Sequence, residues 1–379
     1  MGRWCWASLA WFVGGALVLS SSACSSRSTY ESDKNAGGTA GLDAGAGGAT
    51  GGANAGGANA GGANPSGASA GGGPGDAGAG SGGEGGDGTI TTGKSGFPSC
   101  ETISDTACSG DDCCASLLVT GCTDCAFPYG YTSTVSDFRL DKYEVTVGRF
   151  RSFVNAYEGP PAMDAGARSA IPGSGWQSDW NDDIGIDSVD LVNDLLLRPC
   201  AELTIRTYTE DPGGNEAKPM NCMTWYEAFA FCVWDGGFLP TEIQWQYAAA
   251  GGAENREYPW PESAVDTDRA LYGYCGEGVS SACAVENILE VGSKPLGVGK
   301  FGHLDLAGSM WEWVLDYFGA PYPAQPCSDC ANLDGTTPRV IRGGGWPEPV
   351  TLQNTSERGN DPPESSWMNV GLRCARVAP

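Results

Sequence analysis

One histidine and sixteen cysteines bound the chemistry open to this chain of 379 residues. The histidine is His303. An iron site of two histidines and one carboxylate needs a second imidazole, so the standard form of that site is excluded. A serine triad would have to be built around His303, which reads instead as a partly exposed loop residue. Cys122-x-x-Cys125 and Cys327-x-x-Cys330 have the spacing of zinc ligands. They lie about 200 residues apart, and in an exported chain such pairs oxidise to disulfides.

Export is read from the first residues. Met1–Ala23 has one charge, Arg3, then an apolar run from Trp11 to Leu19, then the small residues Ser21-Ser22-Ala23. The run is shorter than the roughly 20 residues a spanning helix needs. Cleavage there leaves Cys24 first, and a cysteine followed by Ser25-Ser26 suggests a lipidated N-terminus. Ser21 stands where such signals usually carry leucine, so plain secretion is the alternative. Setting aside Cys5 and Cys24, 16 cysteines become 14, an even number that reads as a disulfide framework. Cys275/Cys283 and Cys327/Cys330 are close enough in sequence to pair. Cys100, Cys108, Cys113, Cys114, Cys122 and Cys125 are expected to tie the N-terminal segment of the domain together.

Three segments follow: a signal at 1–23, a linker at 24–97 and a folded domain at 98–379. The linker repeats Ala-Gly-Gly-Ala-Asn, as in Ala55 to Asn64, and has too few large apolar side chains to offset the entropy of ordering. It reads as a tether averaging roughly 40 Å end to end. The remainder is long enough for one large core. A net charge of −25 argues against nucleic acid and anionic membrane surfaces as partners. Membrane contact is expected only through the lipid, in a bacterial outer-membrane lipoprotein or a cell-surface or periplasmic protein.

The elements of the domain are short. Thr146 caps a stripe of Val147, Phe150, Phe153, Val154 and Tyr157. Thr224 with Glu227, and Thr241 with Gln244, form capping boxes, and Gly236-Gly237 and Gly251-Gly252 end the two helices. Phe138–Val145 and Arg339–Arg342 read as strands. Gly, Pro, Asn and Asp turns fill the rest, which makes a loop-rich α+β domain. Trp225, Trp245, Trp260, Trp311, Trp313 and Trp346 are expected in its core.

Six segments, in order, resemble the formylglycine-generating enzymes, the sulfatase-modifying factor family. They are Phe138 to Thr146, Pro219 to Ala228, Phe238-Leu239-Pro240-Thr241-Glu242-Ile243-Gln244-Trp245-Gln246-Tyr247-Ala248-Ala249, Tyr258-Pro259-Trp260, Asp305-Leu306-Ala307-Gly308-Ser309-Met310-Trp311-Glu312-Trp313, and Asn369-Val370-Gly371-Leu372-Arg373-Cys374. The similarity covers roughly Val135 to Ala378. It implies a fold related to C-type lectins and a disulfide between Cys232 and Cys374.

The resemblance also sharpens what is missing. Val340-Ile341-Arg342-Gly343-Gly344-Gly345-Trp346-Pro347-Glu348 resembles the family's active-site strand, in which two cysteines hold copper and perform the oxidation. Here those positions match Glu348 and Gln353, and Gly345 stands where the family has serine. A carboxylate and an amide do not replace thiolates for a soft monovalent ion, so copper is not expected. No cysteine occurs from Ala331 to Arg373. The resemblance implies a calcium site from the side chains of Asp305 and Glu312 and the carbonyls of Gly308 and Met310, donors that suit a hard cation. It implies a peptide groove, with Trp346, Arg358, Ser365 and Trp367 along its border. The expected function is non-catalytic binding of a peptide, glycan or envelope protein at the cell surface. The alternative is an enzyme, either the family's formylglycine-generating oxidase or another reaction at the same groove.

Overall fold

The computed structural model describes residues 96–101, 103, 107–200, 205–261, 264–273, 283–319, 327–336 and 338–379. The expected signal, Cys24, Cys275 and almost all of the linker lie outside the described residues. Among the described residues ten strands form three small sheets. The first is antiparallel, with Ser116–Val119 (β1) and Ala375–Val377 (β10) flanking Phe138–Asp141 (β4). The second joins Cys122–Ala126 (β2), Thr132–Val135 (β3) and Cys327–Ser328 (β6). The third has the order Arg358–Asp361 (β8), Arg339–Arg342 (β7), Trp311–Tyr317 (β5) and Val370–Gly371 (β9). Among the described residues no helix is long and apolar enough to cross a membrane.

Among the described residues four α-helices accompany these sheets. Val147–Ala156 (α1) is capped by Thr146, whose side chain accepts from Arg149 N. Trp225–Trp234 (α3) and Glu242–Ala249 (α4) each start with a complete capping box, Thr224/Glu227 and Thr241/Gln244. Each box satisfies two amide donors that the helix itself leaves open. Ser188–Leu197 (α2) is not legible in the sequence. It buries only Leu191 and Leu195, too narrow a stripe to stand out, although Asp187 caps it.

The strand expected over Phe138–Val145 ends at Asp141. Beyond it the backbone pairs with separate loops, Lys142 N with Ala115 O and Val145 N with Leu372 O. All six of the motif tryptophans are buried. Phe150 stacks on Phe231 at 5.3 Å, and Trp225 meets Trp180 edge-on at 5.1 Å.

Disulfides join Cys100 to Cys114, Cys108 to Cys113, Cys122 to Cys125, Cys200 to Cys222, Cys232 to Cys374 and Cys327 to Cys330. Both C-x-x-C pairs are therefore closed and offer zinc no thiolate. A buried ring of charge locks the same region. Arg149 and Arg376 each bridge Asp141 and Asp235. Asp235 also accepts from Ser99 N at 3.0 Å. The start of the domain is thus held to its last strand and to the end of α3.

Candidate functional site

Strand β7 runs into a glycine turn that determines everything after it. Gly344 has φ +74°, and a Cβ there would lie 2.4 Å from Leu352 O. Only glycine fits such a conformation and approach. Gly308 N donates to Gly343 O at 2.9 Å, and Trp346 N to Ser309 O at 2.7 Å. The turn is therefore zipped to the loop 305–310 that precedes β5.

Glu348 and Gln353 both close on Gly345. A Cβ on Gly345 would sit 2.5 Å from Glu348 Oε2 and 3.1 Å from Trp311 Cδ1. Gln353, fully buried, donates through Nε2 to Gly345 O and Pro349 O, both at 3.3 Å. Glu348 Oε1 accepts from Asn369 Nδ2. Glu348 Oε2, Gln353 Oε1 and Trp311 Nε1 are buried with no partner in hydrogen-bond geometry. Burial pushes the Glu348 carboxyl up to about 7, against the opposing pull of the Asn369 amide and then of the nearby Trp311 indole and backbone N–H groups, whose contacts are longer or less well aligned. Every described cysteine is disulfide-bonded. This corner can hold or release a proton near neutrality, but it presents no thiolate.

The residues expected to border a groove are arranged differently. Trp346 is a core residue, 0% exposed, packed with Ile205, Leu271, Ile288 and Met310. It cannot form a groove wall, because the zip to Ser309 draws it inward. Arg358 is held by the Glu242 carboxylate through two hydrogen bonds of 2.5 and 2.7 Å, so its charge is already matched. Trp367 is half-buried against the main core, and Ser365 sits half-buried in a turn closed on Pro362 O.

The expected calcium ligands lie in one loop, but their side chains have other partners. Glu312 is fully buried and takes two hydrogen bonds from Arg373, at 2.6 and 2.7 Å, and one from Trp245 Nε1 at 2.7 Å. Asp305, with φ +59°, accepts from Gly292 N at 2.6 Å. Glu144, whose role the sequence does not reveal, fills the loop and accepts from Ser309 Oγ and Met310 N. Burial, then repulsion from Asp305 and Glu312, holds the Glu144 carboxyl well above its usual range. Among the described residues no three or more His, Cys, Asp or Glu side chains converge as a ready metal cluster.

His303 is not a partly exposed loop residue. It is 0% exposed, its Nε2 is 3.2 Å from Leu140 O, and burial followed by the nearby Arg373 lowers its pKa to about 3. It is a neutral core imidazole. Asn369 is a site residue that sequence reasoning missed, although it opens the closing Asn369–Cys374 motif.

The domain is a mixed α/β fold of small sheets and few helices, with a glycine turn after β7, and its sequence places it in the class of sulfatase-modifying domains. The chain belongs to that family: the sulfatase-modifying factor enzyme 1-like domain matches residues 123–378. It is similar to mouse inactive C-alpha-formylglycine-generating enzyme 2, with 27% identity over 262 residues, covering 65% of this chain and 77% of the mouse protein. It is also similar to the formylglycine-generating enzyme of Streptomyces coelicolor, with 30% identity over 182 residues, covering 44% of this chain and 55% of that protein. Among solved structures, Treponema denticola variable protein 1 aligns with a TM-score of 0.45 at 17% identity, over 69% of this chain and 95% of that one.

Proposed function

We propose that this is an exported, lipid-anchored binding domain at the bacterial cell surface that has given up the family's oxidation. The observation that carries this reading is the pair Glu348 and Gln353, folded onto Gly345 where the family places its thiols. Cys24 carries the lipid and the Gly/Ala-rich tract is the tether. The partner is a peptide, glycan or envelope protein, met by a surface related to that of C-type lectins. Similarity to a mouse protein named as inactive supports the loss of catalysis.

The direct test incubates the purified protein with copper and a Cys-x-Pro-x-Arg peptide and seeks aldehyde by mass spectrometry. No aldehyde is expected. Turnover that disappears in Glu348→Ala overturns the reading and favours the alternative, an enzyme using Glu348 as acid or base. That second reading draws on one observation, a carboxyl buried against Gly345 and poised near neutrality.

Calcium is proposed at the loop 305–312. The donor chemistry fits a hard divalent cation: Glu144, Asp305 and Glu312 share the single guanidinium of Arg373, which leaves negative charge in excess. Asp305 and the carbonyls of Gly308 and Met310 would hold the ion, with Glu312 dividing its charge between it and Arg373. The ion would brace the glycine turn through the Gly308–Gly343 hydrogen bond.

A further inference from the structure

Arg339 opens β7, about 10 Å along the strand from Arg342 and away from the glycine turn. It is 2% exposed. Its guanidinium lies between two rings, 3.7 Å from the Trp225 centroid and 3.5 Å from that of Tyr317, with Trp180 at 5.6 Å. Nη1 donates to Leu315 O at 2.7 Å, and Nε is buried with no partner. No carboxylate of the described residues lies within 4.0 Å of it. The other wholly buried arginines, Arg149, Arg342 and Arg373, each face one. Burial lowers the pKa of Arg339 to about 10, so it remains charged at neutral pH. A buried cation with no carboxylate in contact is costly; Asp316 acts on it only from beyond contact distance, and stacking on aromatic faces offsets only part of the cost.

Above this guanidinium is a cavity of about 350 Å³. Its walls are Trp180, Leu315, Tyr317 and Leu333, and Gln177 and Asp179 stand at its polar side. With both faces of the guanidinium covered, an acceptor can approach only along its edge, the geometry that suits a planar carboxylate.

We propose that this cavity is a binding site for a monocarboxylate with an apolar body, its carboxylate on Arg339 and its apolar part between Trp180, Tyr317 and Leu333. Asp179 disfavours a second negative charge on the ligand. The C-terminus of a peptide ending in an apolar residue and a free N-acylated apolar amino acid share this chemistry. The site is separate from the corner around Glu348 and stands whatever that corner binds.

Isothermal titration of the full chain with N-acetyl-L-leucine and with N-acetyl-L-leucinamide tests it. A charge-assisted hydrogen bond is worth roughly ten- to a hundredfold in affinity. The acid is expected to bind at least about tenfold more tightly than the amide, by the same measure. Leu333→Trp, which fills the cavity from its half-exposed side, is expected to abolish the difference with no fall in melting temperature. Arg339→Lys is the companion variant, and Leu333→Trp decides the matter should the lysine variant fail to fold. Gly-Gly-Leu binding more tightly than N-acetyl-leucine upholds the site with a chain terminus as ligand. Equal binding upholds it with a small free acid. Acid and amide binding alike, neither binding at millimolar concentration, or undiminished binding to Leu333→Trp overturns it.

Discussion

Gly345 and Glu348 occupy one another's space: the carboxylate Oε2 lies 2.5 Å from where a Cβ on Gly345 would stand. The residue types at these two positions are therefore coupled. A serine at 345 and a glutamate at 348 cannot both fit without one of them moving. The missing side chain makes room for the inserted carboxylate, and the carboxylate seals the corner between Trp311 and Asn369.

The first prediction follows from that contact. Gly345→Ser is expected to destabilise the domain by about 1–3 kcal/mol through overpacking. In the Glu348→Ala background the same substitution should cost much less, with a coupling above about 1 kcal/mol. Urea unfolding of the wild type, both single variants and the double variant measures this. Additive effects would show that the two side chains do not compete.

The second concerns pH. Burial raises the folded pKa of Glu348 to about 7 from its ordinary value of 4.5. The folded state therefore holds this proton more tightly than the unfolded state. The stability it contributes is fully present below about pH 4.5 and is lost as pH rises through about 7. Asp316 and His303 titrate over overlapping ranges, so the readout is the difference between wild type and Glu348→Gln. The variant is expected to lose less melting temperature than the wild type between about pH 5 and pH 8. Parallel curves would refute it.

Calcium gives the third. At a concentration about 100 times its dissociation constant, a bound ion stabilises the folded state by about 2.7 kcal/mol. Added calcium should raise the melting temperature of the chelated wild-type protein and leave Asp305→Ala unmoved. An equal response in both proteins removes the site.

The fourth lies in the buried ring of Arg149, Asp141, Arg376 and Asp235. Removing Arg376 leaves Asp141 and Asp235 sharing the single guanidinium of Arg149, a buried negative charge in excess that costs up to about 3–5 kcal/mol. Arg376→Met is expected to lose about that much stability. It should also free the segment around Ser99, since Asp235 Oδ2 bonds Arg376 while its Oδ1 accepts from Ser99 N. Thermal unfolding and limited proteolysis near Phe97 read the two effects separately. Full stability in Arg376→Met would mean the ring is dispensable.

Much of the scaffold was legible because its signals are local. Thr224/Glu227 and Thr241/Gln244 start their helices through groups three residues apart, and the motif tryptophans are too large and apolar to stay outside. Other features depended on distant partners. His303 looks like a loop residue until it is set against Leu140 O, 163 residues away. Arg358 looks available until Glu242, 116 residues away, takes it. The strand expected over Phe138–Val145 stopped at Asp141 because the next residues bond to separate loops, at Ala115, Leu304, Leu372 and Met220, a choice no period of two can express.

By itself the sequence determined the family, the capped helices and the absence of paired thiols between Ala331 and Arg373, since each is a matter of residue type and short spacing. Only the tertiary structure decided that Glu348 lies against Gly345, that Glu312 is committed to Arg373, and that Arg339 is buried beneath a cavity with no carboxylate of the described residues in contact with it. Those outcomes turn on which charges and volumes meet across long stretches of chain, and burial strengthens every such meeting by removing water from between the partners.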